Sequence, residues 1–150
     1  MIPATLAAAR EAVGRWLVGK LGDDAAAVVV DNGAGLSRDG RLTALALARL
    51  LQLAWASPVM PELAASLPAA AVDGTLRRAQ VAPGRAHLKT GSLRDVAGVA
   101  GYVLGDSGRR YVLVAIVNHP DAGAARPAFD ALVRWLAADA AAGPPAGPGR

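Results

Sequence analysis

Cysteine is absent from the 150 residues. That excludes disulfides, a thiol nucleophile and any cysteine-ligated metal, and it suits a reducing or an oxidising compartment equally. Aromatic residues are scarce at 4%, and lysine occurs only twice, at Lys20 and Lys89, against 14 arginines. A net charge of +4 invites a nucleic-acid reading. The only adjacent basic pairs, however, are Arg77 with Arg78 and Arg109 with Arg110, and no aromatic residue interleaves with the first to stack a base. The arginines read as a scattered, solvated surface, and no nucleic-acid partner is expected. No apolar run approaches the ~18 residues of a membrane-spanning helix. The start, MIPATLAAAREAVGRWLV, has neither a basic first segment nor an uninterrupted apolar one, so no export signal is read in it. Asp23 with Asp24, and Asp31 with Asp39, lack histidines at ligand spacing, so neither a metal nor a cofactor is expected.

What is present is apolar: 53% of residues are hydrophobic, enough for one core in a chain of this length. Leu6, Ala9, Val13, Trp16, Leu17 and Leu21 recur at helical spacing. AAAVVVD, at 25–31, reads as a buried strand running into a loop, NGAGLSRDGRL. Thr43 can cap a helix over ALALARLLQLAWA, whose apolar residues surround it and predict burial. MPELAASL is a short segment, and PAAAVDGTLRRAQVAPGR reads as a long surface loop. The period then changes. Residues 86–91, 95–104 and 109–118 read as three antiparallel strands, the last two joined by GDSG. The third strand, apolar on both faces, is expected at the centre of the sheet, and Gly98 and Gly101 predict a close backbone or helix approach to its neighbour. Phe129, Leu132, Val133 and Leu136 form the stripe of a closing helix, with Pro127 in its first turn. The expectation is one α/β domain of α+β type over 1–140, an antiparallel sheet flanked by helices, with 141–150 a disordered tail.

Within this frame HLKTGS ends a strand in a glycine. The Lys89 ammonium supplies charge, the Thr90 hydroxyl donates a hydrogen bond, and Gly91 removes the side chain that would hold an extended substrate off the strand. Together they suit a peptide ending in a carboxylate. K-T-G is also one third of the signature of the penicillin-recognising serine enzymes. The other chemistry-bearing residues have plainer readings. His119 before Pro120 is read as a turn residue, His87 as a surface or pocket-wall residue, and GDSGRR as a turn. NGAGLSRDG lacks the G-K-[ST] that a phosphate loop requires.

In order and spacing, DNGAGLSR, DGT and KTGSLRDV resemble the C-terminal third of the periplasmic D-alanyl-D-alanine carboxypeptidase/endopeptidase family, the class C penicillin-binding proteins, over about residues 5–138. The resemblance implies a penicillin-binding-protein/β-lactamase-like transpeptidase fold and hydrolysis of peptidoglycan peptides in the periplasm. It implies that Lys89 and Thr90 hold the terminal carboxylate of a stem peptide or β-lactam, that Gly91 admits the substrate, and that Ser92 is a secondary contact. Ala34 stands where the family has serine. No role for the loop from Asn32 to Arg38 follows.

The family's S-x-x-K and S-x-N are not found. Ser37, Ser57, Ser66, Ser92 and Ser107 have Gly40, Met60, Ala69, Asp95 and Arg110 three residues on, and none has asparagine two residues on. The expectation is a C-terminal fragment, inactive alone, whose partner is the missing upstream part of the same enzyme. The alternatives are a noncatalytic peptidoglycan- or β-lactam-binding remnant, and an unrelated small protein with a chance K-T-G.

Overall fold

The Ala8 amide donates to Thr5 Oγ1 at 3.1 Å, and this cap starts the first helix, α1, over Leu6–Leu21. Gly22 ends it with φ 56°, its N–H donating to the Val18 carbonyl. The computed structural model describes residues 4–72 and 81–139. The DGT block at 73–75 and the tail at 141–150 lie outside them. The chain divides into two compact units, residues 1–53 and 54–150.

In the first unit α1 forms where its spacing predicts, but Leu17 is its one buried residue, while Leu6, Val13, Trp16 and Val18 are exposed. The expected buried strand at 25–31 is not one. Its start is a short 3₁₀ turn, Gly22–Ala25, and Val29 makes a single antiparallel bridge with Arg41 and is 51% exposed. β-branched residues favour extended backbone, but a strand needs a ladder, and here the pairing stops after one bridge. The Ala46 amide donates to Thr43 Oγ1 at 3.0 Å, so the Thr43 cap is as predicted, and α2 runs Ala44–Trp55. Its expected all-round burial is corrected as well: Ala46 and Leu51 are buried, Leu45 and Leu53 exposed.

In the second unit, α3 (Met60–Ser66) precedes three antiparallel strands, β1 (Ala86–Leu93), β2 (Val96–Leu104) and β3 (Arg110–Asn118). Their order is β1-β2-β3. Among the described residues the central strand is therefore β2, and β3, expected at the centre, stands at an edge. Apolar residues on both faces report what covers the faces and say nothing about the edges, which is why the pattern misplaced it. The register sets Ala86, Leu88, Val103, Val99, Ala97 and Leu113 on one face. A 3₁₀ turn, Ala122–Ala125, leads into α4 (Arg126–Ala137), which has proline in its first turn and presents Phe129, Val133 and Ala137 to the core. Leu132, expected in the stripe, is exposed.

One of the two sheet glycines singled out in the sequence is dictated by this packing. At Gly101, φ 147°, a Cβ would lie 2.1 Å from the His87 carbonyl oxygen, so β1 and β2 meet as closely as the sequence implied. Gly98 would meet the Ala115 oxygen at an ordinary 3.4 Å. The stretch read as surface loop is partly buried: Ala70, Val81 and Ala82 belong to the core, because residues 68–70 pair with β1.

Candidate functional site

Residues 68–70 lie along the outer edge of β1, with the Ala70 amide donating to the Ala86 carbonyl at 2.8 Å and the Leu88 amide to the Pro68 carbonyl at 3.0 Å. On the inner side the Leu104 amide donates to the Arg85 carbonyl at 2.8 Å. Backbone groups therefore alternate, odd residues turning toward β2 and even ones outward. K-T-G begins directly beyond this bridge, at the exposed Lys89. The Lys89 ammonium donates to the neighbouring Thr90 carbonyl at 2.6 Å. Thr90 is half-buried, and Gly91 and Ser92 are exposed. A Cβ at Gly91 would meet nothing within 4 Å. Packing among the described residues thus does not require glycine there; its bare backbone leaves open space along the strand.

Lys89 shares its face of the sheet with His87, Tyr102 and Ala100 through the pairing of His87 with Tyr102 and Lys89 with Ala100. Tyr102 is buried, which pushes its phenol pKa up. Its ring lies 5.0 Å from that of Trp55, tilted by 55°, and the Arg110 guanidinium sits 5.1 Å over Trp55. This cluster was not legible in the sequence, since only the register brings Tyr102 beside His87. Nδ1 of His87 is buried and has no hydrogen-bond partner among the described residues.

The other candidates have structural partners. His119 Nδ1 accepts from the Asp121 amide at 3.0 Å, as a turn histidine does. Ser57, just past α2, donates to the Ala54 carbonyl and Ser66, in α3, to the Leu63 carbonyl, each at 2.7 Å. GDSG is a turn, in which Ser107 donates through its hydroxyl to Asp139 at 2.8 Å and through its amide at 3.0 Å. Tyr111 donates to the same carboxylate. The Ser107 hydroxyl first, then Tyr111 and the Ser107 amide, hold the Asp139 pKa below its usual range against the opposing effect of burial. In the first unit Asp31 accepts from Ser37 at 2.7 Å and Asn32 at 2.8 Å and pairs with Arg10. Its pKa is likewise lowered, most by Ser37. The loop read without a role is thus a hydrogen-bonded turn built on Asp31. No three His, Cys, Asp or Glu side chains come together as a metal site among the described residues.

A sequence model of the D-Ala-D-Ala carboxypeptidase 3 (S13) family matches residues 1–139. A D-alanyl-D-alanine carboxypeptidase of Actinomadura sp. is 37% identical over an alignment of 113 positions that covers 70% of this chain and 21% of that protein. Penicillin binding protein 4 of Haemophilus influenzae, solved with a β-lactam, superposes with a TM-score of 0.73 at 23% identity over 89% of this chain and 33% of its own. A predatory endopeptidase of Bdellovibrio bacteriovorus, solved with an immunity protein, gives 0.72 at 19% identity over 85% and 36%. The structural likenesses show a shared fold. The chain spans 21% of the curated relative's length and 33% to 36% of these solved chains.

Proposed function

Because the chain belongs to the D-Ala-D-Ala carboxypeptidase 3 family, we propose that it forms the C-terminal part of a serine-type D-Ala-D-Ala carboxypeptidase or endopeptidase acting on peptidoglycan peptides outside the cytoplasmic membrane, in the periplasm. Residues 1–140 are its portion of the transpeptidase-like domain. Lys89, Thr90, Gly91 and Ser92 bind substrate. The observation that carries this reading is K-T-G on β1, exposed at Lys89 and beside open space at Gly91.

The chemistry follows from those residues. A stem peptide ending in D-alanine brings a carboxylate that must leave water, and an ammonium with a hydroxyl on one strand replaces that hydration. Lys89 exchanges the Thr90 carbonyl for the carboxylate, a charge-assisted bond replacing a neutral acceptor. The Thr90 hydroxyl donates to the same group, and the peptide lies in the space a side chain at position 91 would fill. A β-lactam presents an equivalent carboxylate. Nucleophilic attack is assigned to a serine and lysine outside this chain, because no serine here is followed by lysine at the third position. The same lack suits a noncatalytic peptidoglycan- or β-lactam-binding remnant; an upstream reading frame encoding S-x-x-K and S-x-N separates the two.

The test is a backbone amide NMR titration of the chain with a D-Ala-D-Ala-ended peptide and with its C-terminal amide. The acid should shift residues 89–92 and the amide should not. Equal shifts with both, or shifts confined to other elements, would overturn the assignment of Lys89.

A further inference from the structure

A peptide that lies along the outer edge of a strand needs that edge to itself, and on β1 the first half of the edge is already taken. Ala69 bridges His87 in antiparallel sense. The bonds on either side of this bridge, from the Ala70 amide to the Ala86 carbonyl and from the Leu88 amide to the Pro68 carbonyl, use outward-facing groups of residues 86 and 88. Residues 68–70 therefore fill the lane that a bound peptide would follow.

The lane is closed up to Leu88 and no further, and the sequence explains why. A complete hydrogen-bonded pair opposite Leu88 would return a bond to the Leu88 carbonyl, but Pro68 has no N–H to give. One residue earlier the chain has already turned off the edge, since the Leu67 amide donates back to the Ala64 carbonyl at 3.2 Å and caps α3. Lys89 is the next residue of β1. The closed part is also fixed in place. The Ala70 carbonyl accepts from the Gly84 amide at 2.9 Å, and Ala70, Ala86 and Leu88 are 0%, 0% and 1% exposed. Lifting the segment away would break all three backbone bonds and uncover three residues of the core.

A stem peptide with its carboxylate at Lys89 and Thr90 and its preceding residues beside Gly91 and Ser92 runs antiparallel to β1. Were its main chain to continue past the carboxylate, it would run into Leu67 and Pro68. We propose that residues 68–70 are a chain stop, a specificity element that ends the substrate lane at Lys89 and admits only a peptide whose main chain terminates there. The stop rests on the assignment of Lys89 as the carboxylate-binding residue, and it adds the reason a terminus is read at that place. It acts on the main chain alone. A last residue joined to a second peptide through its side chain meets the same condition, so the property selected is a free main-chain carboxylate and not a short substrate.

The test is isotope-filtered NMR of the chain with two ligands: a peptide ending in D-Ala-D-Ala, and the same peptide one D-alanine longer, each labelled in its last methyl group. The labelled methyl should contact protons of Leu67 and Pro68 in both complexes, because the longer peptide slides back by one residue, about 3.3 Å, to bring its own terminus to Lys89. The Ala70 and Leu88 amides should keep their protection from hydrogen exchange throughout. A longer peptide whose last methyl contacts Ala86, with protection lost at Ala70 and Leu88, would reveal an open lane and overturn the proposal. Shifts at residues 89–92 with no contact from the labelled methyl to Leu67 or Pro68 would remove the stop and leave Lys89 as the carboxylate site. No shift at residues 89–92 with either peptide would remove both.

Discussion

A methyl group is the smallest side chain, and at Gly101 there is no room for one. Gly101→Ala places a carbon 2.1 Å from a backbone oxygen at φ 147°, and neither atom is the movable end of a side chain. The expected cost is about 3 kcal/mol, read as a fall in the urea midpoint at unchanged slope. Gly91→Ala is the contrast, because open space surrounds that position. It should change stability by less than about 1 kcal/mol while weakening the acid-ended peptide about tenfold, as titration would show. Lys89→Ala should weaken the same peptide by roughly fivefold in the isolated chain, where Lys89 is exposed and its charge screened, and leave the amide unaffected. Asp139 predicts a pH dependence. Its folded pKa lies below the unfolded one, so its contribution is present above the ordinary carboxylate range and is lost as pH falls through the lowered value. Stability should decline below about pH 4, and Asp139→Asn should be less stable near neutrality with a flatter acid limb in denaturant titrations.

At the scale of elements, β1 is tied to the preceding loop by strained turns. Ala71 and Ala82 hold φ of 61° and 44°, in the left-handed region that L residues avoid at about 1 to 2 kcal/mol each. Ala71 is half-buried, so Ala71→Gly relieves more strain than the extra chain entropy costs and should raise Tm by a few degrees. Ala82 is buried, and losing its methyl group, at about 0.8 kcal/mol, cancels most of the same gain; Ala82→Gly should be nearly neutral. The elements themselves were legible to different degrees. Helices α1, α2 and α4 follow from 3.6-residue spacing, the Thr43 cap and Pro127, all properties of the local chain. The strand misread at 25–31 shows the limit of that reasoning, since a run of alanine and valine predicts extended backbone but cannot supply the partner that makes it a strand.

For the molecule as a whole, the exposed leucines of α2 and the exposed apolar residues of α1 lead to one expectation. Stability should rise with protein concentration, because a copy that binds only the folded chain stabilises it by mass action. Thermal unfolding at two well-separated concentrations checks this, and an invariant Tm would count against it. The same chain should give no covalent band with fluorescent penicillin after boiling in detergent, since none of its five serines has a lysine at the third following position. A band surviving denaturation would place a nucleophile among Ser37, Ser57, Ser66, Ser92 and Ser107.

The sequence by itself determined what depends on residue type and short spacing: the helices, the three strands, the K-T-G run with its glycine, the lack of an S-x-x-K serine, and the family resemblance that the match over residues 1–139 bears out. Tertiary structure alone decided which strand is central, that Tyr102 and His87 share the face of Lys89, and that Ala70, Val81 and Ala82 are buried beside β1. The reason is that hydrophobic periodicity specifies how a segment presents its faces. Strand order, register and the fate of an edge are set by pairing between segments distant in sequence, and a run apolar on both faces, such as YVLVAIV, satisfies an edge and a centre equally well.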